Sequence, residues 1–149
     1  MTDEQLARDL AQRFRSALET EATQLAARNG ALIGLREFPI GACLDASLLL
    51  AEYLREHDQG SWRCLAGERL FRPAQPESHA WVERDGLVVD ITADQFADSP
   101  GPAVWVTRNN AWHAQFAPAE DQGQLWRPQD EELLDAYAVL RDTANRPAA

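Results

Sequence analysis

The strongest constraint in this chain is a local one. Two β-rich runs, His79 to Glu83 and Leu87 to Ile91, are separated by Arg84-Asp85-Gly86. An Asp-Gly pair between such runs signals a two-residue hairpin turn. With Asp85 and Gly86 as the turn, Arg84 pairs with Leu87, Trp81 opposes Asp90 and His79 opposes Thr92. Opposed residues share a face of the ribbon. His79, Trp81, Glu83, Val88, Asp90 and Thr92 therefore line one side, and the apolar set Ala80, Val82, Leu87, Val89 and Ile91 lines the other. In this register His79 and Asp90 are diagonal neighbours, with Cα atoms about 7–8 Å apart and side chains able to meet. A symmetric four-residue loop keeps the same pairing, whereas a three-residue bulged loop would turn Asp90 to the opposite face.

The segments around the hairpin fill in an α+β plan. Leu6, Leu10, Phe14, Leu18 and Leu25 recur at helical spacing behind a capping-box pattern at Thr2 and Gln5, and Asn29-Gly30 supplies a stop. The run from Cys43 to His57 is apolar nearly all round and predicts a buried central helix. Trp62 to Leu70 alternates as a strand does, Phe71 to Glu77 carries two prolines and predicts a loop, and Ala103 to Thr107 predicts a further strand. The stretch from Asn109 to Arg127 has no assignable period. Pro128-Gln129-Asp130-Glu131-Glu132 opens a last helix bearing Leu133, Leu134, Tyr137 and Leu140, and Arg146 to Ala149 reads as a frayed tail. Residues 1–149 form one domain in this reading, with the central helix packed on an antiparallel sheet and helices at both ends.

Charge and composition exclude several function classes. Fourteen basic residues against 24 acidic ones give a formal charge of −10, the wrong sign for a non-specific nucleic-acid binder or an anionic-membrane binder. Every basic residue is arginine, so a Schiff-base, P-loop or general-base lysine is impossible. The longest apolar stretch is too short to span a bilayer and the first residues lack a signal-peptide pattern, so the expectation is a cytoplasmic protein. Cys43 and Cys64 are too few for a disulfide framework.

Cys43 stands where an irregular segment becomes the central helix. A thiol at a helix N-terminus meets unpaired backbone N–H groups and the positive end of the helix dipole, both of which favour thiolate. Gly41 and Ala42 leave room beside the sulfur for a substrate backbone. Together with His79 and Asp90, the chain then contains a nucleophile, a base and a carboxylate to orient it. The competing reading makes Cys43 a buried core residue, His79 a polar residue on a solvated sheet face, and Asp90 an incidental charge.

A cysteine that opens a helix, followed by His79-Ala80-Trp81 on a strand, a hairpin and Val89-Asp90 on the next strand, resembles the papain-like superfamily. It is most similar to the transglutaminase-like branch, including bacterial transglutaminase-like cysteine peptidases and the leader peptidases of lasso-peptide maturation. Residues from about 38 to 96 carry the likeness. The resemblance implies a papain-like core and a cysteine-dependent acyl-transfer enzyme acting on a protein or peptide substrate without a cofactor. Cys43 would be the nucleophile, His79 the acid and base, and Asp90 the orienting carboxylate. Peptidase, amidase, deamidase and transamidase chemistry all stay open, as does a non-catalytic interaction module on the same fold.

The likeness has gaps. The Cys-Gly-Ser-Cys-Trp signature of papain is absent, and Glu37-Phe38 occupies the stretch where an oxyanion glutamine would stand. Gln95, Asn109, Asn110 and Trp112 are the candidate second oxyanion donors. Trp81 is placed to shield the His79–Asp90 pair from water and, with Gly41 and Ala42, is expected to border the substrate. His57 reads as a helix C-terminal residue, Cys64 as core, and His113 as the one histidine able to compete with His79. A zinc site from Cys43, His79 and Asp90 lacks a fourth ligand and a short ligand spacing, so no metal is assigned.

Overall fold

A computed structural model describes residues 3–58, 60–72, 75–123 and 131–146. Helix α1 (Asp3–Arg28) leads through a 3-10 helix (Gly30–Leu35) into α2 (Cys43–His57). Strands β1 (Arg63–Arg72), β2 (Gln75–Arg84) and β3 (Leu87–Asp90) follow, then β4 (Trp105–Thr107), a 3-10 helix (His113–Phe116), β5 (Glu120–Asp121) and α3 (Glu131–Asn145). The five strands form one antiparallel sheet in the order β4-β3-β2-β1-β5. The fold is α+β, with helices at both ends of the chain.

The hairpin takes the register read from its turn: Arg84 pairs with Leu87, Glu83 with Val88 and Val82 with Val89. Asp85 (φ 49°) and Gly86 (φ 81°) both adopt positive φ, the requirement of a type I′ turn. The sheet then has two chemically different faces. Val82, Leu87, Val89 and Ile91 join α1, α2 and α3 in the main core, as alternation along β2 and β3 requires. Leu65, Trp81 and Val88 point the other way, into a second cluster closed by Ala93, Trp112 and Phe116.

Helix α2 is buried on most of its circumference because α1 lies on one side and the sheet on the other. Leu49, Leu50, Ala51, Tyr53 and Leu54 are all fully buried. The buried Ser47 Oγ donates to the Ala80 carbonyl of β2 at 3.2 Å, which ties the first turns of the helix to the strand. The apolar stripe of α1 runs Ala7, Leu10, Ala11, Phe14, Leu18, Ala22, Leu25, and Phe14 meets Tyr53 of α2 with ring centroids 4.9 Å apart.

One sequence expectation requires correction, and one unassigned stretch gains its structure. The proline-bearing stretch from Phe71 to Glu77 does not interrupt the strands: β1 runs on to Arg72 and β2 begins at Gln75, with Leu70 paired to Pro76 across a register shift. A proline can sit near a strand end, where its missing N–H costs little. The unassigned stretch after Asn109 supplies the 3-10 helix at His113–Phe116 and strand β5. Thr2, Trp126, Pro128 to Asp130 and the tail beyond Arg146 lie outside the described residues. Among the described residues no helix is long and apolar enough to cross a membrane.

Candidate active site

Strand β2 carries His79 to the second face of the sheet, and β3 ends at Asp90 beside it. His79 Nε2 donates to Asp90 Oδ2 at 2.7 Å, and both side chains are fully buried. A surface position for the pair is therefore excluded. The other carboxylate oxygen, Oδ1, accepts the Thr92 backbone N–H at 3.0 Å, an Asx-type contact that locks the rotamer. His113, from the 3-10 helix, donates its own Nε2–H to the same Oδ2 at 2.7 Å and is also buried. One carboxylate thus holds two imidazoles.

A carboxylate can only accept, so Nε2 carries a hydrogen in both rings, and on His79 the Nδ1 is left to exchange protons. Burial on its own disfavours the imidazolium of His79. The charge and hydrogen bond of Asp90, with a smaller contribution from Cys43, outweigh it and push the ring up to about 9. Burial likewise works against the Asp90 anion, but His79 and His113 overcome it and hold the carboxyl well below its ordinary range.

Cys43 is the first residue of α2. Ala42, at the N-cap, provides no side-chain hydrogen bond, so the amides of the first turn have no capping oxygen. The thiol is half-buried, packed beside the small cluster of Leu48, Cys64 and Ala80. It is close enough to His79 to favour the charged ring. His79 Nδ1 nevertheless has no partner meeting hydrogen-bond geometry. The sulfur lies next to the ring without a formed bond.

The segment before Cys43 is held by a few polar contacts. Gly41 adopts φ 71°, a conformation that favours glycine, and donates its N–H to Gln95 Oε1 at 3.2 Å. Gln95 in turn donates to the Thr92 carbonyl at 3.0 Å, joining the Cys43 loop to the segment after Asp90. Asp45 receives the Gly34 N–H, but burial dominates and raises its carboxyl above the ordinary value. Ala42 is fully buried and Trp81 nearly so, which leaves Gly41 as the exposed member of the three residues expected to border a substrate. Ile40 (62% exposed) and Leu44 (40% exposed) flank the thiol in sequence as apolar surface.

Arginines brace the site. Arg15 of α1 donates to the Ile91 carbonyl at 2.6 Å and bidentately to Asp94 at 2.9 and 3.0 Å, while its guanidinium covers Phe38. It thereby fastens the chain after Asp90 to the chain before Cys43. Arg69 of β1 is buried, pairs bidentately with Asp98 at 2.8 Å, and lies across Phe96, Trp112 and Phe116. Those rings and Trp81 enclose His79, whose centroid lies 5.8 Å from Trp81 and 5.0 Å from Phe96. Neither arginine stood out in the sequence: Glu19 at i+4 is the one local partner of Arg15, and nothing local to either residue indicates Asp94 or Asp98.

The remaining candidates make contacts of their own. The Trp112 indole N–H is spent on Asp98, and Gln95 has both ends of its amide engaged. Asn109 Oδ1 accepts the Ala111 N–H, and Asn110 borders a pocket with Trp81, Glu83 and His113 that does not include Cys43. His57 Nδ1 caps the Tyr53 carbonyl at 3.0 Å, a helix-end role. Cys64 is fully buried, and burial, with a smaller push from Cys43, raises its thiol to about 12.

His79, Asp90 and His113 offer ligand atoms within 4.8 Å of one another. Both Nε2 atoms converge on a single oxygen at hydrogen-bond distance, and neither Nδ1 has the acceptor that a metal-bound imidazole normally gives its second N–H. The geometry fits two N–H donors on a carboxylate better than three ligands around a cation. No family model, curated protein or solved structure matches this chain.

Proposed function

We propose that this chain is a cysteine-dependent acyl-transfer enzyme of papain-like or transglutaminase-like architecture, acting on a protein or peptide carbonyl. The observation that carries the reading is the fully buried His79–Asp90 hydrogen bond, made through Nε2, with the free side of the ring next to a thiol at an uncapped helix start. A ring charged up to about pH 9 places a cation beside the sulfur, and a cationic neighbour favours the thiolate form of a cysteine.

Cys43 Sγ adds to the carbonyl carbon, and the oxygen of the tetrahedral adduct takes the charge at the first-turn amides of α2. His79 gives its Nδ1 proton to the departing amine as the C–N bond breaks, leaving a thioester on Cys43 and a neutral ring. Water or an amine then attacks the thioester. His79 Nδ1 takes the incoming proton, and Sγ leaves as thiolate. Asp90 stays ionised throughout and keeps Nε2 protonated.

Incubation with an activated peptide ester followed by intact-mass analysis tests this. A stable or transient acyl adduct on Cys43, lost in His79→Gln and Cys43→Ala, supports the reading; no adduct under any condition removes it. A second reading, an interaction module in which the cysteine is structural, draws on one observation: the Trp112 indole N–H is held by Asp98 and one of the two Gln95 amide N–H groups by the Thr92 carbonyl, so Trp112 has no donor left and Gln95 has one.

A further inference from the structure

We infer that His113 is a positioning residue for the site, donating to the same Asp90 oxygen as His79 so that the carboxylate stays ionised and aimed at that ring. The inference deepens the acyl-transfer reading at one point, the role of the carboxylate, and its test does not need the enzyme to be active.

The argument starts from occupancy. Asp90 is fully buried and its oxygens receive three N–H groups: Thr92 on Oδ1, and His79 and His113 on Oδ2. A buried carboxylate with only the two contacts from β2 and its own chain would face a large desolvation cost, and neutralisation by a proton would relieve it. A protonated Asp90 would no longer require Nε2–H on His79, and the ring's tautomer and charge would no longer be set. The third donor works against that outcome. It arrives from a separate element, the 3-10 helix at His113–Phe116, so it is not a by-product of the hairpin.

The packing around His113 serves the same purpose. Its ring lies 4.8 Å from Trp105, 4.9 Å from Trp81 and 5.1 Å from Trp112, which leaves the imidazole little freedom to swing from the carboxylate. The titratable groups facing Asp90 are the two histidines. Cys43 faces His79 from α2, Arg15 reaches the adjoining Ile91 carbonyl from α1, and Arg69 lies over the Phe96, Trp112 and Phe116 rings from β1. No other cation among the described residues bonds the carboxylate directly. The hydrogen bond from His113 is one of the contributions that hold Asp90 ionised.

The test combines two variants with NMR of the whole protein. His113→Phe retains an aromatic ring and removes the donor; His113→Gln retains an N–H donor at comparable reach. The Asp90 carboxyl carbon and the imidazole nitrogens are followed against pH. In the wild type, the His113 ring should carry its hydrogen on Nε2 at neutral pH, and Asp90 should stay ionised down to acid unfolding. In His113→Phe the carboxyl should titrate at a pH at least one unit higher, with His113→Gln between the two. Finding the hydrogen of wild-type His113 on Nδ1 overturns the inference without any variant, which covers the case where a substitution fails to fold. An unmoved Asp90 titration in a folded His113→Phe overturns it as well. If Asp90 shifts as expected while Cys43 forms no acyl adduct, the positioning role stands and the acyl-transfer reading fails.

Discussion

Gly67 of β1 lies directly beneath the carbonyl of Phe116: a Cβ at residue 67 would overlap that oxygen. Gly67 is also the register partner of His79. The absent side chain lets the His113–Phe116 helix lie flat on the sheet next to the histidine of β2, and so lets His113 reach Asp90. A glycine within a strand often marks such a close backbone approach.

Replacing Gly67 with alanine should therefore act on the site through packing. The obstacle is backbone rather than a movable side-chain tip, so the loss should fall at the upper part of the about 1–3 kcal/mol typical of overpacking. Chemical denaturation measures it. The same variant should weaken the His113–Asp90 hydrogen bond, visible as loss of the slowly exchanging His113 Nε2–H signal. Unchanged stability and an unchanged signal would show that the 3-10 helix is not held by this contact.

The His79–Asp90 pair sets a pH window for stability. His79 rises from 6.5 in the unfolded chain to about 9 when folded, so its contribution is complete below about 6.5 and is lost as pH climbs through about 9. Asp90 is depressed, so its contribution is complete above about 4 and is lost as pH falls towards its folded value. Stability should form a plateau between these limits and decline between pH 6.5 and 9. In His79→Gln the alkaline decline attributable to this ring should disappear, as measured by urea unfolding across the range.

Asp90→Asn removes the charge while keeping the shape. With its oxygen towards the two Nε2–H donors, the amide would turn its NH2 against the Thr92 N–H; flipped, it would deprive both buried imidazoles of their acceptor. Breaking a buried charged arrangement on one side costs about 3–5 kcal/mol. The expected result is a large loss of stability together with loss of any acylation at Cys43. A variant with wild-type stability would mean that the carboxylate is not an essential acceptor.

Arg15→Met keeps much of the apolar stem but deprives the Ile91 carbonyl and Asp94 of their donor. A loss of about 2–4 kcal/mol is expected, from unsatisfied buried acceptors and a broken, partly exposed ion pair. Asp94→Asn should cost less, because that carboxylate is about one-third exposed. Equal effects of the two substitutions would show that the Ile91 contact adds nothing.

The hairpin and its two faces were legible in the sequence because they rest on local rules. Asp85-Gly86 dictates the turn, the turn dictates the register, and strand alternation then places His79 and Asp90 together. The start of α2 at Cys43 was legible for the same reason, as a change from Gly41-bearing irregular chain to a continuous apolar run. What escaped was non-local. His113 sits in a segment without periodicity, and its role comes from docking on a sheet 23 residues earlier in the chain. Gly67 in mid-strand was the available signal that something crosses there. The Pro76 position misled because a strand end tolerates proline. The site-bracing contacts of Arg15 and Arg69 have no local signature, since Ile91 and Asp98 are 76 and 29 residues away.

The central claim is that Cys43 and His79 act as a thiolate–imidazolium pair, and the pH dependence of iodoacetamide alkylation on the folded protein tests it most directly. An ordinary thiol is only about 0.3% ionised at pH 6. The expected result is that Cys43 still reacts rapidly at pH 6, that Cys64, buried and held up to about 12, stays unlabelled, and that His79→Gln abolishes the reaction at pH 6. Slow labelling of Cys43 at that pH, or labelling indifferent to the His79 substitution, would contradict it.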